Sequence, residues 1–451
     1  MLENYKIVKR LYFVYMVILL GFALLFPSKN PTWWHLSFQV FQATAIYVLA
    51  YFLFQKDRGV LYFAIGIAIY LVINISAYKL FNYYMLGNWI GLPGDGYSYN
   101  RIASSFANSR YSVFDLLDYF KARHIMLDDY GMFGFTSLLY WFFGCEWGIH
   151  ILPFCNIFPI LIGGYVLKKL ALHIGLDSQC SYLLFFLWST MTFACFDSSV
   201  ALKENYMVCM VLLSTYYLLQ ITSEITLLRC VLFLLCASSL LLFRTAVFYV
   251  FLICLITAIM LKVDFFGRHL WLWLSVFFII SVFAFSFAID YIGGTRGGVS
   301  SSVLSSAYND KMAEAGVFGP ILNVVSALIG PIPSFLGNDE HKLKYMTLFS
   351  FTSTIKILFS FGYVYTLCYV IRNKVLDLLP ILIFIIFNSL MLIVCFYTLH
   401  DRYQWPQYPL VLLLSFYGID KYYQSNPYGN KYKYYCYLAV LIIVIFNLRV
   451  I

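Results

Sequence analysis

Charge is what this chain has least of. Only 11% of its 451 residues are Asp, Glu, Lys or Arg, against roughly 25% in soluble domains, and a water-soluble globule is excluded on that ground. Its eleven cysteines show no C-x-x-C spacing. Cys195, Cys209, Cys230, Cys236, Cys254, Cys368 and Cys395 sit inside apolar runs, so they read as small buried side chains, not as a zinc site or a disulfide framework. No internal repeat stands out, and no polar stretch makes a separate soluble domain. The N-terminal segment Met1-Leu-Glu-Asn-Tyr-Lys-Ile-Val-Lys-Arg10 lacks a cleavable-signal pattern, and the first span is expected to be retained.

What is present is apolar and aromatic. Hydrophobic residues make up 62% of the chain, with 44 Phe and 39 Tyr. Apolar runs of about 18 to 22 residues recur, and about 20 residues span the hydrocarbon of a bilayer. The runs are continuous rather than alternating, so helices and not a closed barrel are expected. The expected fold class is all-α: a polytopic integral membrane protein of about thirteen transmembrane helices with external interfacial helices. It forms a single transmembrane domain over 1–451, with one external loop at 79–132 and a second large one at 290–345. A net charge of +9 does not point to nucleic acid, because most Lys and Arg fall in short inter-helix loops as the positive-inside bias requires.

Charge placement orients the chain. Lys6, Lys9 and Arg10 put the N-terminus in the cytoplasm, ahead of spans at 11–28, 37–55 and 59–78. The piece Phe133–Gly144 is too short to cross and reads as a re-entrant or tilted half-helix. Further spans are expected at 149–167, 182–196, 206–222, 225–243, 245–262, 270–289, 346–370, 377–397, 408–420 and 433–449. On this topology Asp95, Arg101, Asp128, Asp129, Asp197, Lys203, Glu204, Arg244, Arg296, His341, His400, Asp401 and Arg402 all reach the external face. External arginine runs against the positive-inside bias, so each one asks for a partner.

Each of these residues has a plain reading beside a chemical one. Asp95 lies between Gly94 and Gly96 ahead of Tyr97, Tyr99 and Arg101, at the start of an interfacial helix. It is a candidate general base or a solvated turn residue. Asp115–Tyr130 is amphipathic and suits the interface. Its end, Asp128-Asp129, is a weak metal or proton-sharing pair or a solvated helix end. At Asp197-Ser-Ser-Val-Ala-Leu-Lys203-Glu204, Ser198 or Ser199 would cap the next helix and Glu204 suits its dipole. Lys203 there is explained by a bound anion such as phosphate. Arg244 is either functional at membrane depth or snorkelling. Arg296, in Gly293-Gly-Thr-Arg-Gly-Gly298, fits a phosphate bidentately or is an idle loop residue. Ile329-Gly-Pro-Ile-Pro-Ser334 reads as a fixed corner. His400-Asp401-Arg402 forms a tight turn whose Asp401 and Arg402 pair with each other or clamp an anion.

In this order, the pieces resemble a multi-spanning glycosyltransferase that uses a polyprenyl-phosphate-linked donor. Gly94-Asp95-Gly96-Tyr97 and Tyr99 resemble the catalytic-Asp loop of the GT-C superfamily, and Leu138-Leu-Tyr-Trp-Phe-Phe-Gly144 is similar to the short segment that follows it. Leu202-Lys203-Glu204 resembles a helix start common in these proteins. Gly330-Pro-Ile-Pro333 and Arg402-Tyr403 are similar to features of bacterial O-antigen and capsule repeat-unit polymerases. Three spans precede the Asp loop instead of one, and no Asp-x-Asp stands at Asp95, which favours the polymerase branch.

The resemblance implies an undecaprenyl-diphosphate-linked glycan as substrate, with Asp95 as base. Arg244, Arg296, Arg402, Lys203, Tyr97, Arg101, His400 and Asp401 are then the residues that bind diphosphate or sugar. It implies no cofactor and no metal. Localisation would be a bacterial inner membrane with the site facing the periplasm or exterior, with a flippase and chain-length regulators as further partners. Three alternatives stand beside it: a lipid-linked glycan flippase or transporter, a GT-C enzyme adding one sugar, and an acyltransferase using His150.

Overall fold

The structure is a computed structural model and describes residues 2–25, 33–56, 59–90, 94–109, 111–260, 319–333, 335, 340–394 and 401–448. Among the described residues every regular element is helical. Eight helical stretches are long and apolar enough to cross a membrane, as expected of an all-α polytopic membrane protein. These eight, counted among the described residues, are fewer than the thirteen crossings expected from the sequence. The run at 270–289 lies outside the described residues. The two at 225–243 and 245–262 form helices of only 16 residues each, Leu227–Leu242 and Thr245–Met260, shorter than the roughly 20 residues that span hydrocarbon.

The chain opens with α1 (Leu2–Leu25), α2 (Trp33–Phe54) and α3 (Val60–Leu86). The helix α3 runs eight residues into the expected external loop, and Lys79 of that stretch donates to the Ile149 carbonyl at 2.6 Å. The rest of that loop holds α4 (Asp95–Ala107) and the short α5 (Leu116–Ala122). A capping box opens the α5 segment, the Ser112 N–H and Oγ each meeting Asp115 Oδ2 at 2.8 Å. Tyr119 and Phe120 turn inward while Phe114 is 95% exposed, a face suited to a membrane surface.

In α6 (Tyr130–Cys155), Gly144 at φ 77°, ψ 160° interrupts the helix, a conformation open to glycine because it has no Cβ. A Cβ on Gly148 would sit 2.4 Å from the Tyr140 ring. Residues eight apart on a straight helix are about 12 Å apart along its axis, so the chain folds back on itself here. The expected half-helix therefore ends at Gly144, as one limb of a bent element.

From there the chain continues through α7 (Ile157–His173), α8 (Ser178–Ser189), α9 (Thr192–Ser199), α10 (Glu204–Ser223), α11 (Leu227–Ser239), α12 (Thr245–Met260) and α13 (Gly319–Ile329). Beyond α13 the Gly-Pro-Ile-Pro corner is non-helical, and Asn447 donates to the Pro333 carbonyl at 2.9 Å while accepting from the Phe335 N–H at 2.6 Å. The second expected loop, 290–345, is helical in part: it contains α13 and the start of α14 (Glu340–Asn373).

The remaining elements are α15 (Leu379–Val394), α16 (Asp401–Gln404), α17 (Tyr408–Ser425) and α18 (Lys431–Leu448). Residues 408–418 of α17 are all buried, the mark of a helix enclosed by others. It meets α14 backbone to backbone: a Cβ on Gly362 would stand 2.0 Å from the Ser415 carbonyl oxygen, and one on Gly418 would stand 1.9 Å from that of Gly362. Thr366 Oγ1 donates across the seam to the Leu414 carbonyl at 2.6 Å. Small residues let membrane helices approach this closely.

Candidate functional site

Asp95 is the first residue of α4, where a carboxylate meets the positive end of the helix. The tip of α4 is pressed onto the turn between α9 and α10. A Cβ on Gly96 would lie 2.2 Å from the Val200 carbonyl oxygen, so only glycine allows that contact. The turn itself is tied by the Ala201 N–H to Ser198 O at 3.1 Å and by the Leu202 N–H to Asp197 O at 3.0 Å, with Ala201 at φ 55°. It delivers Lys203 and Glu204 side by side beneath Asp95.

The cap of α10 differs from the expected one. Ser198 and Ser199 bond back into their own helix, to Ala194 O at 2.8 Å and Phe196 O at 2.7 Å. The fully buried Asp197 takes the capping role, its Oδ2 accepting from the Asn205 N–H at 3.2 Å.

Arg402 is the centre of the site. Its Nε donates to Glu204 Oε1 at 2.5 Å and its Nη2 to Asp95 Oδ2 at 2.5 Å. Arg402 is thus held by two carboxylates from α4 and α10. Burial works against the charge of Arg402, but Glu204 and Asp95 more than offset it, so its guanidinium titrates above the ordinary arginine value. The Arg402 segment is itself fixed: Trp405 packs against Trp188 and Phe193 with ring centroids 4.9 and 4.3 Å apart. Gln404 donates to the Ser326 carbonyl at 2.9 Å and accepts from the buried Lys356 amine.

Lys203 also has a partner inside the protein. Its amine pairs with Asp129 and donates to the Asp128 carbonyl at 2.9 Å. The anion expected at this helix start is therefore the Asp129 carboxylate, which also accepts from the Tyr99 hydroxyl at 3.1 Å. Burial, followed by the carboxylates of Asp129, Glu204 and Asp95, raises the Tyr99 hydroxyl well above its ordinary value, so it stays protonated and acts as a donor.

Arg244 is half-buried, with its guanidinium carbon 5.3 Å from the Tyr403 ring centroid. Among the described residues it makes no ion pair, although Glu204 lies within electrostatic reach of Arg402, Arg244 and Lys203 alike. Tyr97 is 46% exposed and Arg101 is exposed further along α4. His150, the residue of the acyltransferase alternative, packs edge-on to Trp89 with ring centroids 5.2 Å apart.

The structure brings Asp95, Arg402, Lys203 and Arg244 to one end of the bundle. Arg296 and His400 lie outside the described residues, and Asp401 is described only as the first residue of α16. Asp129, read from the sequence as half of a weak metal or proton-sharing pair, joins the site as the partner of Lys203, and Tyr99, Asp197 and Glu204 join it without having been assigned a catalytic or binding role. The signal for Glu204 was an acidic residue next to a lysine at the start of an apolar helix, which its dipole role alone did not exhaust. No protein-family model, curated protein or solved structure matches this chain.

Proposed function

We propose that the protein is a membrane glycosyltransferase that polymerises or extends undecaprenyl-diphosphate-linked oligosaccharide repeat units, as in O-antigen or capsule synthesis, at the outer face of a bacterial inner membrane. The observation that carries this reading is the half-exposed Asp95 held at a helix tip against Arg402, with Arg244 beside them and without a carboxylate of its own among the described residues. A base for a sugar hydroxyl and cations for a departing diphosphate are what this transfer requires.

In the reaction, the acceptor hydroxyl oxygen bonds to the anomeric carbon of the donor sugar. The bond from that carbon to the diphosphate oxygen breaks, and its electron pair leaves with undecaprenyl diphosphate. The hydroxyl proton passes to Asp95. Arg402 and Arg244 neutralise the charge that develops on the leaving group through charge-assisted hydrogen bonds, and the exposed Tyr97 offers a ring to a sugar face. Arg296, Arg101, His400 and Asp401 complete the proposed binding set from the sequence. Flippase and chain-length regulator proteins would be its partners.

Lipid extraction from cells lacking the protein tests this. The expected result is accumulation of a single lipid-linked repeat unit together with loss of long polysaccharide. Wild-type polysaccharide in those cells would overturn the reading. Accumulation of a lipid-linked glycan short of one sugar would replace it with single-sugar transfer.

A further inference from the structure

Arg402 is held by two carboxylates of very different standing. Glu204 is fully buried, while the Asp95 side chain is 53% exposed and that of Arg402 28%. The two contacts use different nitrogens of one guanidinium: Nε donates to Glu204 and Nη2 to Asp95. A guanidinium has five N–H donors in a rigid fork, and among the described residues Nη1 has no hydrogen-bond partner.

The cost of parting from Arg402 differs sharply between the two. Stripping the cation from Glu204 leaves a charge in the protein interior, which is strongly unfavourable. Parting Asp95 costs little, because water solvates it at once and an exposed pair contributes only about 0.2–1 kcal/mol. An incoming anion therefore meets an arginine with one fixed partner and one replaceable partner. Diphosphate carries more charge than a carboxylate and fits the fork bidentately.

We propose that Glu204 is the positioning residue of Arg402, and that Asp95 is an exchangeable latch which gives up its place on Arg402 to the diphosphate of the donor. This rests on the glycosyl-transfer reading and adds an order of events. Before donor binds, Oδ2 of Asp95 is engaged by Arg402 and is not available to a substrate hydroxyl. When diphosphate takes that position, Asp95 is released next to the acceptor, and the oxygen that Arg402 held becomes free once a leaving group is in place. Lys203 remains with Asp129 through the exchange and keeps the α9–α10 turn, and hence Glu204, in register. No bond to carbon changes in this step.

The test uses the full chain purified in lipid nanodiscs, with inorganic pyrophosphate as the binding probe and lipid-linked repeat units extracted from the deletion strain as substrate. Asp95→Asn should bind pyrophosphate about two- to fivefold more tightly than wild type, the range set by an exposed ion pair, while turnover is lost. Glu204→Ala should lower kcat about 100-fold with the donor KM rising less. Glu204→Gln should recover part of that loss, since its amide oxygen still accepts from Arg402 Nε. Arg402→Lys, which keeps a cation against buried Glu204 if the alanine variant does not fold, should weaken pyrophosphate binding about tenfold.

Three results would count against specific parts of the scheme. If Asp95→Asn is inactive yet binds pyrophosphate no more tightly, the latch is wrong while the base stands. If Glu204→Ala turns over within about threefold of wild type, the positioning role is wrong. If Asp95→Asn retains full turnover, the underlying reading of Asp95 falls instead.

Discussion

At the seam between α14 and α17 and at the cluster formed by α4, α10 and α16, helices approach each other equally closely but by opposite means. Along the seam Gly362 and Gly418 admit the opposing backbone, and Thr366 donates to a carbonyl across it. The hydroxyls of Thr366 and Ser415 are both answered by backbone carbonyls. In the cluster Gly96 admits the Val200 carbonyl, but the side chains around it are charged, one carboxylate is half-exposed, and part of the Arg402 fork points at nothing described. The first region fixes distances that must not change. The second holds charges whose partners can be exchanged, on a frame that the first keeps rigid.

Substitutions at the two places should therefore fail in different ways. The largest effect is expected of Gly418→Val in the seam, where the new side chain meets the Gly362 carbonyl at 1.9 Å from its first carbon. A loss of ~3 kcal/mol is expected from such overpacking, seen as aggregated protein on size exclusion and a lowered Tm. Arg402→Lys should leave the Tm nearly unchanged and cut turnover about 100-fold, because a point charge replaces a two-sided fork. Arg244→Ala should raise the donor KM about tenfold with a smaller change in kcat, the loss of one charge-assisted contact. If Arg402→Lys unfolds the protein as Gly418→Val does, the contrast between the two regions is false.

The smallest effect belongs to the interfacial segment. The hydroxyl and then the N–H of Ser112 hold the Asp115 carboxyl below its ordinary value. A carboxyl depressed in the folded state adds stability above its unfolded pKa and loses it as pH falls through the folded one. Hydrogen exchange at residues 112–122, corrected for intrinsic rates, should quicken as pH drops below the usual carboxylate range. Ser112→Ala should remove most of that dependence.

Much of the architecture was legible from composition. Continuous apolar runs gave helices, the Gly-Pro-Ile-Pro corner ended α13, and the apolar piece before Gly144 is one limb of a bent helix. The crossing count was less legible because hydropathy does not separate a lipid-facing helix from an enclosed one: α17 was expected to be an ordinary span, and it is the buried centre of the bundle. Lys356 passed unremarked for a related reason, since one cation in an apolar run hardly changes its mean.

At the site, charge topology gathered Asp95, Lys203, Arg244 and Arg402 on one face, and the structure brings the four near one another. It could not assign partners. Lys203 was matched to an outside anion because Asp129 is 74 residues away in sequence, and Arg402 to either its neighbour Asp401 or an anion. Pairing across the fold depends on the close contact at Gly96, and a sequence pattern does not carry that distance.

Conversion of radiolabelled lipid-linked repeat units by the reconstituted protein, wild type against Asp95→Asn, tests the central claim most directly. Wild type should lengthen the glycan and release undecaprenyl diphosphate, while the Asn variant, folded and still binding pyrophosphate, should slow both by about 10²–10⁴-fold. Equal conversion by the two proteins would contradict it.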